Sequence, residues 1–323
     1  MDQPVSVQTT QQSQGDEKLR QNSALEAEAR ALMAEIPVLA EYQGPLQRLG
    51  GLTNATFHAG DYVLRLPGKG TEEYIDRKNE LRSFAEAARV GVAPELVHFD
   101  PETAVMVTRL VQGAVTLTPE KFRTIPGAAH RAGEAFRKLH RSDAVFPARF
   151  ELFAMIDEYL AVLKDKPVAL PEGYHDVVAE AAGAVRAALA RHEVAPVACH
   201  CDPLCENLLD TGERIWIVDW EYSGMNDPMW DLGDLSVEGG FSPEQDAELL
   251  SGYFGGPAPA QDEARMVIYK AMCDLLWTLW GLIQVANENP LDDFSAYAEG
   301  RFARCRSLMA APEFAKAMAV LAD

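Results

Sequence analysis

The chain has 323 residues, enough for two lobes but not for a string of independent domains. Its 48% hydrophobic content can fill substantial cores, and 49 acidic against 29 basic side chains leave a formal charge of −20. That balance argues against a nucleic-acid binder and against docking on anionic membrane, while it suits a small cationic substrate.

The first stretch, to about Asn22, is polar and rich in Gln and Ser, and reads as a disordered tail rather than a signal peptide. Five cysteines, an odd number, are then expected as free thiols in a reducing cytoplasm. Leu25, Ala29, Leu32 and Met33 fall at helical spacing and predict a helix from Ser23 to Glu35, ended by Pro37. Short strands are expected at Leu46 to Leu49, Ala55 to Ala59 and Tyr62 to Leu66, the last two joined by a Gly60-Asp61 turn. A helix from Tyr74 to Val90 should bury Leu81, Phe84, Ala85 and Ala88, with Glu80 at the border of that stripe. Strands at Glu95 to Phe99 and Ala104 to Leu110 complete a small lobe over residues 23–110, and Val111-Gln112-Gly113 reads as a crossover.

Residues 111–323 are mostly helical in pattern. Helices are expected at Ile125 to Arg141, Phe150 to Lys164, Gly173 to His192, Pro228 to Gly239, Pro243 to Tyr253, Gln261 to Ala286, Leu291 to Met309 and Pro312 to Leu321. The apolar run from Ala271 to Ala286 contains Asp274 and reads as a buried helix rather than a membrane span. The fold class is therefore α+β: a small antiparallel sheet with one helix, then a larger helical lobe.

The densest chemistry lies between Cys199 and Ser236. His200, Asp202 and Asn207 form a His-x-Asp-x-x-x-x-Asn pattern, and the apolar run from Ile215 to Val218 ends on Asp219. A turn at Asp210 to Glu213 would fold these segments into a hairpin and bring Asn207 near Asp219. One acid then stays available as a base, while an amide and a second acid can hold a hard cation such as Mg²⁺, the equipment of phosphoryl transfer. His200 reads as a structural group bonding nearby backbone. A competing reading makes a zinc site of Cys199, His200, Cys201 and Cys205, but the spacing fits no common finger and no second cluster completes it, so buried thiols are the expectation.

Other residues carry two readings each. Gly50, Gly51, Thr53 and Asn54 form either a phosphate-cradling loop or an ordinary tight turn. Arg65 projects from the third strand on the face opposite Tyr62, Leu64 and Leu66, toward either phosphate or solvent. Trp277 and Trp280 share a helix face, as core or as an aromatic wall for a quaternary ammonium, with Phe294 and Tyr297 able to add faces and Glu221, Asp231 and Glu238 as acidic partners.

Together these motifs resemble the choline/ethanolamine kinase family, within the wider aminoglycoside-phosphotransferase-like kinases. The resemblance runs from about Leu46 to Arg304. His200 to Asn207 is similar to the family's catalytic loop, Ile217 to Ser223 to its metal-binding strand end, and Asp231-Leu232-Gly233-Asp234 with Glu238 to the motif that follows. Cys201 in place of the more usual Asn, and Pro203 after the Asp, depart from the pattern without removing a ligand. The resemblance implies a two-lobe, protein-kinase-like fold with ATP between the lobes and Mg²⁺ on Asn207 and Asp219. It makes Gly50 to Asn54 the nucleotide loop, Arg65 the phosphate-holding cation, Glu80 its orienting partner, and Thr108 to Val111, with Thr108 and Leu110 foremost, the adenine-binding hinge. Asp202 would be catalytic, with Trp277, Trp280, Tyr297, Glu221 and Glu238 around a small cationic amino alcohol. Choline is the expected acceptor, with ethanolamine as a second. An aminoglycoside, thiamine or another amino alcohol is the alternative, and a nucleotide-binding pseudokinase scaffold is the non-enzyme reading.

Overall fold

The computed structural model describes residues 23–50, 54–68 and 75–322. The expected tail, residues 1–22, and the loop positions Gly51 and Thr53 lie outside the described residues. The chain divides into two units, Met1–Tyr74 with Glu95–Leu110, and Ile75–Pro94 with Val111–Asp323.

In the first unit a helix α1 (residues 23–33) packs on a five-stranded antiparallel sheet. Its strands are β1 (Gln47–Gly50), β2 (Ala55–Ala59), β3 (Tyr62–Leu66), β4 (Leu96–Phe99) and β5 (Met106–Arg109), in the order β1-β2-β3-β5-β4. Alternation decides the faces: Phe57, Leu64, Leu66, Val105 and Val107 are buried in one cluster with Ala29, Met33, Ile36 and Leu39. Gly60, at φ +66, turns the chain between β2 and β3, a backbone setting that favours glycine. The β4–β5 turn is held by Asp100, whose carboxylate accepts from the Glu102 amide at 2.8 Å and the Thr103 hydroxyl at 2.7 Å.

The second unit begins with α2 (Arg77–Arg89), which the sequence pattern assigns to the first lobe. Asp76 caps it by accepting from the Lys78 and Asn79 amides. Its buried face is not the expected apolar stripe. Of the four stripe residues only Phe84 is buried, alongside Asn79, Glu80, Ser83 and Ala87. Polar groups can go inside because they find partners: Asn79 donates to Ser223 O at 2.9 Å and accepts from the Ala148 amide at 3.1 Å.

The unit continues with β6 (Val115–Thr116), α3 (Pro119–Thr124), α4 (Ala128–His140), α5 (Leu152–Leu163), α6 (Tyr174–Glu180), a π-helical turn (Ala181–Val185) and α7 (Arg186–Arg191). Then come β7 (Val197–Cys199), the hairpin β8 (Leu208–Asp210) and β9 (Ile215–Ile217), and β10 (Gly224–Asn226). The chain closes with α8 (Pro228–Gly239), α9 (Pro243–Phe254), α10 (Ala260–Ala286), α11 (Phe294–Met309) and α12 (Pro312–Val320). The short elements β6, α3, β7 and β10 have no counterpart in the sequence reading. They are too brief to show a hydrophobic period.

Helix α10 is long and apolar enough to cross a membrane, but most of its apolar stretch is buried in the fold, where α5, α8, α11 and α12 surround it. Helices α4 and α9 cross where a Cβ on Gly133 would lie 2.1 Å from Leu249 O and one on Gly252 2.0 Å from His130 O. Only glycine permits that approach.

Candidate active site

The hairpin forms as its turn chemistry dictates. Gly212 sits at φ +83, its amide donates to Asp210 Oδ1 at 2.9 Å, and Leu208 pairs with Ile217 across the ladder. Beyond the ladder, the Val218 amide donates to Asn207 O at 3.0 Å, which brings Asn207 beside the residue preceding Asp219. Asn207 Nδ2 donates to Asp202 O at 3.0 Å, which leaves Asn207 Oδ1 on the other side of the amide. Asp219 adopts φ +68, a left-handed setting uncommon for a non-glycine residue and one seen where a side chain is held for use.

The loop carrying Asp202 is fixed from beneath by Asp231 of α8. Its Oδ2 accepts the His200 amide and its Oδ1 the Cys201 amide, both at 2.8 Å, and His140 Nε2 lies 2.9 Å from Oδ2. Cys201 turns the chain at φ +68, and Trp230 Nε1 donates to Cys201 O at 3.1 Å. Asp231, weighed from the sequence as a partner for an amine, is therefore spent on the loop backbone. His200 is fully buried with its Nε2 against Val218 O at 2.9 Å. Burial holds the imidazole below its usual value, so it is a neutral donor to backbone, the structural part expected of it.

Asp202 is half-buried on this loop. Burial first, then the neighbouring acids Asp234, Asp219, Glu221 and Glu238, push its carboxyl well above the usual range. An acidic site of this kind is completed by cations. The oxygen donors present fit a hard ion such as Mg²⁺: the Asn207 amide oxygen, and the Asp219 carboxylate, whose oxygens lie with those of Glu80 and Glu221 within 4.8 Å of one another. Arg77, which the sequence reading passed over, sits between two of these acids, 2.9 Å from Glu80 and 3.2 Å from Glu221. Glu221, expected beside the amine, thus joins the Asp219 side of the site. Its successor Tyr222 turns instead toward Trp277, with ring centroids 5.3 Å apart. Tyr222 lies in the turn that follows Asp219, where no strand or helix period marks the direction of a side chain.

Among the described residues, Cys199, His200, Cys201 and Cys205 do not gather as one set of ligands; Cys199 lies instead with His140 and Asp231. Cys199 Sγ faces the carbonyls of Asn226 and Asp227, and Cys201 Sγ those of Cys199 and Gly224. Burial raises the thiols of Cys199, Cys201 and Cys205 and keeps them protonated.

Trp277 and Trp280 are both buried on α10. Trp280 meets Tyr297 and Phe294 of α11 edge to face, each at 5.6 Å between centroids, and Gly281 gives Tyr297 room, since a Cβ there would lie 2.7 Å from its ring. The sequence reading brings these aromatic residues together, and the fold does so. Glu238 is ion-paired with Arg301, which also lies 4.7 Å over the Tyr297 ring and 3.1 Å from Asp274. Arg304 adds two hydrogen bonds to Asp274, both at 2.7 Å. Asp234 accepts from Trp277 Nε1 at 3.4 Å.

On the first unit, Arg65 is 8% exposed rather than solvent-facing, in a strand between Thr56 and Met106. Asn54 is buried, with its Oδ1 accepting from the Gly68 amide at 3.2 Å. Thr108 pairs with Val63, and the Leu110 amide donates to Asp61 O at 2.9 Å.

Residues 46–267 match the phosphotransferase enzyme family. A choline/ethanolamine kinase family protein from Mesorhizobium loti has a similar structure, with 66% identity, a TM-score of 0.86, and coverage of 92% of this chain and 98% of that one. The choline kinase LicA from Streptococcus pneumoniae superposes at TM-score 0.74 with 26% identity over 89% of this chain and 99% of its own, and LicA has also been solved with AMP, at TM-score 0.69 over 90% and 98%. Protein LicA of Haemophilus influenzae is 26% identical over 80% of this chain and 78% of its own length. With the Asp202–Asn207–Asp219 arrangement, this places the chain in the choline/ethanolamine kinase family of the phosphotransferases, as an enzyme that phosphorylates an alcohol.

Proposed function

We propose that this enzyme transfers the γ-phosphoryl group of ATP to the hydroxyl of choline, giving phosphocholine and ADP, and accepts ethanolamine less well. The observation that carries the reading is that Asp202 and Tyr297 lie close enough on one unit to interact electrostatically, with Trp280 against the Tyr297 ring and Trp277 on the same helix. An aromatic wall next to several carboxylates suits a quaternary ammonium: each well-placed ring contributes about 0.5–2 kcal/mol. Ethanolamine gains less from the rings because its ammonium is more strongly hydrated. Glu238, beside Tyr297, adds negative potential around the acceptor, while Glu221 lies on the Asp219 side.

Asp202 orients the alcohol and takes its proton as the oxygen attacks in line. The acids gathered around Asp202 favour a bound cation, whose charge opposes their mutual repulsion. Asn207 Oδ1 and Asp219 would hold Mg²⁺, which when bound neutralises charge on the transferring phosphates. Arg65, with Gly50, Gly51, Thr53 and Asn54, is the proposed phosphate-holding set. The Arg fork can take two oxygens while staying charged. Glu80, paired with Arg77, is proposed to steady the cationic side of the nucleotide site. Thr108 and Leu110 are proposed to meet adenine; with the Leu110 amide donating to Asp61, its carbonyl is the group offered. Catalysis is then mostly positioning and charge neutralisation.

The test is ADP release measured with choline, ethanolamine and kanamycin side by side. Choline should give the highest kcat/KM. Faster turnover of kanamycin would move the enzyme to a polyhydroxyl acceptor, and ATP binding without turnover of any acceptor would make it a scaffold.

A further inference from the structure

Arg77 opens α2, in the turn where the helix dipole repels a cation. Two acids hold it there. Its Nη1 donates to Glu80 Oε2 at 2.9 Å, three residues along the helix, and to Glu221 Oε2 at 3.2 Å, in the turn after Asp219. The side chains of Glu80 and Glu221 are 0% and 3% exposed, and that of Arg77 13%. Charges so sheltered act on one another far more strongly than charges on a surface. Glu80 and Glu221 also have oxygens within 4.8 Å of those of Asp219. Arg77 thus occupies the same carboxylates that a hard cation beside Asp219 would draw on.

Neither acid depends on Arg77 for its place. Glu80 is carried by α2, which Asp76 caps and Asn79 fastens to Ser223 O and the Ala148 amide. Glu221 lies in a turn closed by Ser223, whose amide and hydroxyl both donate to Trp220 O, at 3.2 and 2.6 Å. The guanidinium therefore adds charge to a frame that other bonds already hold. A fixed positive group on two acids opposes a second cation arriving at the same oxygens.

We propose that Arg77 is the resident counter-ion of these acids and competes with a divalent cation for Glu80 and Glu221, so that the protein takes up the ion together with nucleotide rather than before it. This rests on the reading that Asp219 is a metal ligand in an ATP-dependent kinase. A triphosphate brings its own oxygens to the ion, and the complex then depends less on the acids that Arg77 holds. A free ion has only the oxygens of the protein, and there Arg77 is a direct rival. Arg77 sets the order of loading and takes no part in bond making.

The experiment measures Mn²⁺ binding by electron paramagnetic resonance of the free ion, with and without a non-hydrolysable ATP analogue. Wild type, Arg77→Gln and Arg77→Lys are compared, with thermal melts to confirm folding. Gln keeps a hydrogen-bond donor without the charge, and Lys keeps the charge. Without nucleotide, Arg77→Gln should bind Mn²⁺ about tenfold or more tighter than wild type, and Arg77→Lys within about threefold of it. With the analogue, the advantage of Arg77→Gln should shrink to about threefold or less. The proposal is overturned if folded Arg77→Gln binds Mn²⁺ no tighter than wild type without nucleotide, if its advantage is the same with the analogue, or if Arg77→Lys gains as much. Loss of stability in both variants with Mn²⁺ binding unchanged would likewise overturn it and leave Arg77 a structural group. Wild type that binds Mn²⁺ as tightly without the analogue as with it contradicts the proposal without any variant. No Mn²⁺ binding by wild type even with the analogue would instead remove the metal reading of Asp219, and this inference with it.

Discussion

The proposed catalytic loop around Asp202 and the proposed acceptor wall of Trp277, Trp280 and Tyr297 belong to the same unit but are held by different forces. Around Asp202, Asn207 and Asp219 the fixing contacts are mostly to backbone. Asp231 takes the His200 and Cys201 amides, His200 takes the Val218 carbonyl, and Asn207 ties to Asp202 and Val218. Around Trp277, Trp280 and Tyr297 the contacts run between side chains: edge-to-face rings, and ion pairs of Arg301 and Arg304 with Glu238 and Asp274. Side-chain bonds to backbone set where the loop itself runs, whereas ring and ion-pair contacts set only which side chains meet. The reaction chemistry should therefore fail all at once when the loop is cut, and acceptor choice should shift by degrees when the wall is altered.

The largest effect expected is at the loop. Asp202→Ala should lower turnover by about 1,000-fold or more with nucleotide binding intact, measured by single-turnover kinetics beside a nucleotide-binding isotherm. Asp231→Ala should act on the same loop without touching substrate. It strips two amides and His140 of a buried acceptor, so it should cost about 3–5 kcal/mol of stability in chemical denaturation and reduce kcat more than it changes KM. A stable, fully active Asp231→Ala enzyme would mean that the loop holds itself. On the wall, Trp277→Leu should raise the KM for choline about tenfold while leaving the KM for ATP in place. A parallel loss in kcat would show that the ring also sets the attack geometry. Arg304→Gln should do least. Arg304 is 41% exposed, and Arg301 still pairs with Asp274 without it, so the cost should be under about 1 kcal/mol and the choline KM should move less than about threefold.

The same contrast explains what could be read from the sequence. The loop was legible because its parts are contiguous: His200, Asp202 and Asn207 lie within one turn of chain, and the hairpin that returns Asp219 is announced by an Asp-Thr-Gly-Glu turn. The paired tryptophans were legible through helical spacing. The assignment of Ile75–Pro94 to the second unit was not, because Asn79 and Arg77 of α2 bond to Ser223 and Glu221, each 144 positions on, and only Phe84 of its apolar stripe is inside. Glu238 was visible as part of a motif but not as an acid paired with Arg301, since that pairing joins two helices. Local pattern shows which face is apolar; it does not show which of two acids on one helix already has a counter-ion.

The most direct test of the central claim is phosphorus NMR of the products formed from ATP, Mg²⁺ and choline by wild type and by Asp202→Ala. The account predicts phosphocholine and ADP in equal amounts from wild type and neither from the variant. Equal ADP with and without choline, or phosphocholine formed by Asp202→Ala at the wild-type rate, would contradict it.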